Sequence, residues 1–295
     1  MQTDGDSVPD VHRFTLGDFT CWCVSDGGHT YTVESLFANV PREQAEAELR
    51  RLGQPAESVT TPYTHLVVNT GSHWVLTDMG AGPLFPTTGQ LPGNMKAAGI
   101  DPGQVDVVVI THAHPDHIGG VLDGEGSLAY PNAHYFLWKD EWAFWTSDQA
   151  LEKWPQEWAL LIRKALTAME DRLSLVEREG EIVPGVSVIP TPGHTPGHMV
   201  VSFQSGREEL LYVGDAVLHT LQLEHPDWLP QPLFWLDPQQ AAISQRRVFD
   251  HAAETGALVI GQHFIPFPSL GHVVRLGEGW QWQPKTFEVS RTSKV

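Results

Sequence analysis

The chain has 295 residues, 41% of them hydrophobic, which is enough for one large domain with a sizeable core. Its 36 acidic and 18 basic residues give a formal net charge of -18. That balance speaks against a nucleic-acid backbone or an anionic membrane as the main partner, since both demand clustered Lys and Arg.

The N-terminal stretch MQTDGDSVPD is acidic and polar, unlike a secretory signal, and residues 1–12 are expected to form a flexible tail. No apolar run approaches the ~20 residues of a membrane helix. FTLGDFTCWCV, 14–24, reads as a strand with a Gly-Asp turn. Cys21 and Cys23 lie on it one residue apart, too close on one strand to bridge well. A cytoplasmic protein without a disulfide framework is therefore expected.

PREQAEAELRRLG, 41–53, predicts a helix, with Pro41 in its first turn, Arg50 and Arg51 late, and Gly53 at its end. HLVVNTGSHWVLTDMG, 65–80, predicts a hairpin around Thr70-Gly71-Ser72. VDVVVI, 105–110, predicts a strand covered on both faces. The stretch 138–165 predicts a helical insertion rich in tryptophan. Trp138, Trp142 and Trp145 would share one face, as would Trp154 and Trp158. Such stripes usually pack into a core or a subunit contact; the competing possibility makes Phe144 or Trp145 a wall of an apolar substrate pocket.

MVVSFQSGREELLYVGD, 199–215, predicts a second hairpin. DPQQAAISQRRVFDHAAETG, 237–256, predicts a helix capped by Asp237 and closed by Gly256. ALVIGQHF follows as a strand. The two halves share a layout: a hairpin ending in Asp (Asp78, Asp215), then a helix, then a strand ending in His (His112, His263). Two such units packed sheet to sheet, with helices outside, would bring all four strand ends to one edge, where α/β proteins favour ligand sites. No low-complexity linker divides the chain, so 1–295 is expected to be one domain.

The sequence has fifteen histidines, and their placement is informative. THAHPDH, 111–117, puts His112, His114, Asp116 and His117 on one short loop after a buried strand. A polar surface turn needs no such clustering, whereas imidazole and carboxylate are the donors that suit Zn²⁺ and similar ions. TPGHTPGH, 191–198, offers His194 and His198. YVGDA offers Asp215, and VIGQHF offers His263.

The set THAHPDH, PGHTPGH, GD and a late strand-end His resembles the metallo-β-lactamase superfamily. The resemblance implies an α/β fold, a four-layer αβ/βα sandwich of two packed mixed sheets flanked by helices. It also implies two divalent ions, zinc first, with Mn, Fe, Co or Ni as alternatives. His112, His114 and His194 would hold one ion; Asp116, His117 and His263 would hold the other; Asp215 would bridge them. Asp78 resembles an aspartate that orients the ligands from behind, and His198 matches no ligand.

A hydroxide between two ions ~3.5–4 Å apart would attack a carbonyl carbon or phosphorus, with Asp215 and Asp116 as the catalytic carboxylates and Asp116 a proton carrier. The segments 214–228 and 266–284 resemble more narrowly the branch of methyl parathion hydrolases and related organophosphate and ester hydrolases. Acyl homoserine lactonases of the superfamily typically carry a tyrosine three residues after the bridging aspartate; here Leu218 stands there. The expected substrate is therefore a small, largely neutral ester, lactone or phosphotriester. Phe144, Trp145, His219, Phe234 and Phe267 are its candidate contacts. An acyl homoserine lactonase, a mononuclear iron dioxygenase and a domain kept for binding alone are the alternatives; the last would have lost ligands, and all seven are present. By resemblance a homodimer is also expected.

Overall fold

Two sheets built from the same alternation of apolar and polar residues face one another. The computed structural model describes residues 10–286. Residues 1–9 of the expected tail lie outside them, and Val11 and His12, also assigned to that tail, already belong to a strand. The first sheet holds β1 (Val11–Leu16), β2 (Phe19–Thr32), β3 (Ser58–Asn69), β4 (Trp74–Thr77), β5 (Val107–Ile110), β6 (His134–Trp138) and β7 (Leu173–Val176), side by side in chain order. Pairing is antiparallel from β1 to β4 and parallel from β4 to β7.

The second sheet holds β8 (Gly180–Val183), β9 (Val186–Pro190), β10 (Met199–Ser205), β11 (Glu208–Tyr212), β12 (Leu258–Ile260), β13 (Leu270–Leu276) and β14 (Gly279–Pro284), again in chain order. Here only β11 and β12 run parallel. The two units predicted from sequence are thus real: β3–β4–β5 and β10–β11–β12 are each a hairpin followed by a crossover to a parallel strand.

Between the sheets lies a core that takes Cys21, Cys23, Leu66 and Val109 from one side and Val201, Phe203, Leu210 and Ile260 from the other. Cys21 and Cys23 are free thiols, and burial pushes the Cys21 thiol up to about 12. The helices α1 (Val33–Leu36), α2 (Arg42–Arg51), α3 (Leu91–Ala97), α4 (Pro115–Ile118), α5 (Lys139–Thr146), α6 (Asp148–Lys153), α7 (Gln156–Met169), α8 (Leu221–Glu224) and α9 (Pro238–Thr255) lie outside this pair. The outer face of the first sheet packs Val108, Ile110 and Leu137 against Met95, Trp145 and Ile162. The outer face of the second packs Val200, Leu211 and Val259 against Val248 and Phe249 of α9. Helix, sheet, sheet, helix is the four-layer order expected. α9 begins and ends as its sequence dictates: the Asp237 side chain accepts from Gln240 N–H, and Gly256 turns left-handed at φ +72°.

The tryptophan-rich stretch departs from expectation. Trp138 does not share a helical face with Trp142 and Trp145. It ends β6, because HYFLW alternates as a strand between β5 and β7, and it packs toward the inter-sheet core. Three helices follow rather than one, and Trp154 sits at the break between α6 and α7.

Candidate metal centre and its pocket

Each predicted strand end delivers its residue. Asp78 follows β4, His112 follows β5, Asp215 follows β11 and His263 follows β12. Pro115 starts α4 directly after His114, and that single turn carries Asp116 and His117 back toward the same edge. His194 arrives on the loop between β9 and β10.

These side chains form two groups, each of which could hold a metal ion: His112, His114, His194 with Asp215, and Asp116, His117, His263 with Asp215. In the first, His112 Nε2 lies 3.0 Å from both His114 Nδ1 and His194 Nε2, and the latter two are 2.9 Å apart. Three nitrogens this close suit a common ion at the ~2.0–2.1 Å of a Zn–N bond. Asp215 Oδ2 stands 3.3 Å from His194 Nε2 and 3.8 Å from His112 Nε2. Its other oxygen, Oδ1, turns to the second group, 3.2 Å from His263 Nε2 and 3.3 Å from His117 Nε2. Asp116 Oδ2 is 3.5 Å from His263 Nε2.

The donor set fits divalent ions. His117 Nε2 and Asp215 Oδ1 are fully enclosed, with no hydrogen-bond partner, and a buried polar atom of that kind is costly unless something fills its place. Burial lowers the affinity of His112 and His194 for a proton and holds His114 at about 3. These rings are therefore neutral and offer lone pairs.

The loops are braced from behind. His117 Nδ1–H donates to Asp78 Oδ2 at 2.8 Å, and Thr111 donates to the same carboxylate through its N–H (2.7 Å) and its hydroxyl (2.8 Å). Asp78 thus fixes the orientation of the His117 ring. His198 donates from Nδ1 to Thr191 Oγ1 at 2.8 Å, and its Nε2 accepts the Asp215 N–H at 3.1 Å. It lies outside both ligand groups and positions the backbone of Asp215. His198→Ala should leave metal content near two ions per chain, with affinity reduced about tenfold; elemental analysis after dialysis checks this.

Sequence reasoning missed Glu141. It is fully buried on α5 and accepts four hydrogen bonds: Ala113 N–H (2.9 Å), Trp145 Nε1–H (2.7 Å), Thr195 Oγ1–H (2.6 Å) and Gly197 N–H (3.0 Å). One carboxylate therefore ties the loop 111–117 to the loop 191–198. The available signal was an acidic residue four positions before a tryptophan, on the helix face that also carries Trp145 inward.

Above the two groups opens a cavity of about 230 Å³, walled by Tyr31, Leu36, Phe85, Trp154, Leu218 and Phe234, with Asp116, Asp215 and His263 at its floor. Among the described residues no Lys or Arg lines it. Of the expected contacts, Phe234 is present. Phe144 and Trp145 are not: they pack into the core under the first sheet, where α5 turns its apolar side inward. Phe267 packs toward the inter-sheet core. His219 is buried elsewhere, its Nε2 2.9 Å from Gln54 Oε1 and its Nδ1 accepting from Leu221 N–H. Trp154, Tyr31 and Tyr63, none of them named as a contact from sequence, line it as well.

Residues 59–263 match the Metallo-beta-lactamase superfamily. The chain belongs to that superfamily. Within it, the chain is similar to a probable metallo-hydrolase of Mycobacterium bovis, 26% identical over 185 residues, covering 52% of this chain and 56% of that one. It is also similar to an N-acyl homoserine lactonase of Bacillus thuringiensis, 25% identical over 174 residues, covering 58% and 60%. The matches thus span little more than half the length of these relatives. Among solved structures of the superfamily, the dizinc quorum-quenching lactonase AidC superposes with a TM-score of 0.88 at 27% identity, over 96% of this chain and 99% of that one. The hydrolase AbOPH superposes with a TM-score of 0.86 at 28% identity, over 96% and 100%.

Proposed function

We propose that the protein is a two-metal hydrolase of small neutral acyl compounds, lactones before open esters. The observation that carries this is the placement of Asp215: its two oxygens face two separate donor groups, at the floor of an apolar cavity without a cation in its wall. An anionic substrate would want Arg or Lys there. Two bound ions, zinc first by donor chemistry, would supply an activated water and an electrophilic anchor for the substrate oxygen. His112, His114 and His194 would hold one ion, Asp116, His117 and His263 the other, and Asp215 both. Asp116, beside the cavity, is placed to carry the proton released on attack.

The relatives' names support lactones over phosphotriesters, the substrates that the resemblance of 214–228 and 266–284 to organophosphate hydrolases would suggest: two of the similar proteins are lactonases. The partner is then a small molecule. Among the described residues no helix is long and apolar enough to cross a membrane.

Elemental analysis paired with three probes (a γ-lactone with an acyl side chain, an aryl ester and a phosphotriester) tests the proposal. Two divalent ions per chain are expected, with turnover in the order lactone, ester, phosphotriester and abolished by a chelator. A phosphotriester preferred over both acyl probes would restore the organophosphate branch. One iron per chain, or turnover that survives chelation, would overturn the two-metal proposal.

A further inference from the structure

Leu218 leaves the cavity without a hydroxyl at the position where lactonases of the superfamily carry a tyrosine. Two other tyrosines border the same cavity from the first sheet. Tyr31 on β2 and Tyr63 on β3 both line it, and their hydroxyl oxygens are 2.6 Å apart. The Tyr31 ring stands edge-on to His263 at 6.3 Å, and the Tyr63 ring at 5.1 Å. Outside the two donor groups, the groups lining the cavity that can hydrogen-bond are this pair, the indole N–H groups of Trp154 and Trp158, and His29, which is half-buried and stacked on Phe85 at 3.8 Å.

The hydroxyl pair has a direction. Two oxygens at 2.6 Å share one proton between them, so the second proton must point elsewhere. Tyr63 is fully buried where Tyr31 is only partly so, and among the described residues its hydroxyl has no other partner. Donation from Tyr63 to Tyr31 is the arrangement that leaves a proton for the cavity at the less buried of the two hydroxyls. The Tyr31 proton is then the free one, and the space beside it is the cavity. Donation by Tyr63 also polarises the Tyr31 O–H and strengthens it as a donor.

We propose that Tyr31, held and polarised by Tyr63, donates the hydrogen bond that binds the acyl oxygen of the substrate and stabilises the charge it gains on attack. This rests on the reading of the site as an acyl hydrolase. In that reaction the oxygen of water bonds to the acyl carbon while the C=O π pair moves onto the acyl oxygen. The carbon–oxygen bond of the ester or lactone then breaks as the π bond reforms, and the proton from water goes to the departing oxygen. Tyr31 keeps its proton throughout and lends only the hydrogen bond. Tyr63 is a positioning residue that acts through Tyr31. An ordinary phenol holds its proton until about pH 10, so Tyr31 is a donor at neutral pH.

The test is a double-mutant cycle of Tyr31→Phe and Tyr63→Phe in the metal-loaded enzyme, run on whichever acyl probe the wild type prefers. Metal content, thermal unfolding and calorimetric binding of the hydrolysis product are measured alongside. Tyr31→Phe should lower kcat at least about tenfold and weaken product binding, with metal content unchanged. Tyr63→Phe should cost less, and the double variant should be no worse than Tyr31→Phe alone, because Tyr63 has no route to substrate except through Tyr31.

A Tyr31→Phe enzyme within twofold of wild type would overturn the proposal while leaving the hydrolase reading intact. Additive losses would overturn the relay. If Tyr31→Phe does not fold, Tyr63→Phe decides, and wild-type kcat and product affinity in that variant would sink the idea. A wild type inert on every acyl probe would fail the hydrolase reading itself, and this inference with it.

Discussion

Asp215→Ala should reduce the chain from two divalent ions to fewer than one and remove nearly all hydrolysis. The carboxylate is the one side chain common to both donor groups. Its Oδ1 lies 3.2 Å and 3.3 Å from the second group's nitrogens, and its Oδ2 lies 3.3 Å from His194 Nε2. Removing it takes a negatively charged donor from each ion at once. It also leaves five imidazoles and one carboxylate, Asp116, to balance up to four positive charges. A loss of at least about 100-fold in affinity at each position is expected, since removing even an indirect support of a ligand costs 10–100-fold.

Asp215→Asn separates charge from shape. An amide has one oxygen, so it can serve one group while its NH₂ opposes the other. One retained ion with little turnover is the expected outcome, and elemental analysis with a metal titration reads it directly. Two tightly held ions in Asp215→Ala would mean that the groups are independent sites and that the bridging assignment is wrong.

How much of this was legible before the structure differs by residue type. The seven donors were readable because each stands within a few residues of a strand end whose apolar run announces it; VVVI before His112 and LVI before Gly261-Gln262-His263 are local signals. Asp78 was readable by the same rule. The cavity wall, Phe234 apart, was not. Its members come from β2, β3, the break between α6 and α7, and the loop before α9, so their meeting depends on how distant elements pack and no local period encodes it. Trp145 and Trp154 differ in sequence only by nine positions, yet one is sealed under the sheet and the other borders the site. What decides this is where α6 ends, at Lys153 before Trp154-Pro155, and proline's bias against a preceding helical residue was the available clue. Tyr63 lay two residues ahead of the hairpin read at 65–80, and its partner Tyr31 lay beyond a shift of register at Gly27-Gly28, where β2 runs on past the strand read over 14–24.

Glu141→Ala should be among the most destabilising single substitutions in the chain, roughly 3–5 kcal/mol, because it strips the acceptor from four donors that are all buried. That corresponds to a fall in Tm on the order of 10 °C. The loss should reach the metal centre as well. Ala113 sits between His112 and His114, and Thr195 follows His194, so the carboxylate fixes the spacing of three nitrogens that lie about 3 Å apart.

Glu141→Gln is the sharper probe. Its carbonyl oxygen can keep two of the four donors, and Thr195 can turn its hydroxyl to accept, but Gly197 N–H would then face an amide NH₂. A smaller loss of stability is expected, together with weaker metal binding. The pH dependence has a defined sign. Burial pushes the Glu141 carboxyl up, and its four donors pull it only part of the way back. The unfolded chain therefore releases this proton at a lower pH than the folded one. The stability contributed by the wild-type carboxyl is greatest below about pH 4.3, declines as pH rises toward the folded value, and is flat above it. Measured against Glu141→Gln, which cannot titrate, the wild-type advantage should shrink over that window. An advantage that grew with pH would mean that the four hydrogen bonds outweigh burial and hold the Glu141 carboxyl below its ordinary value.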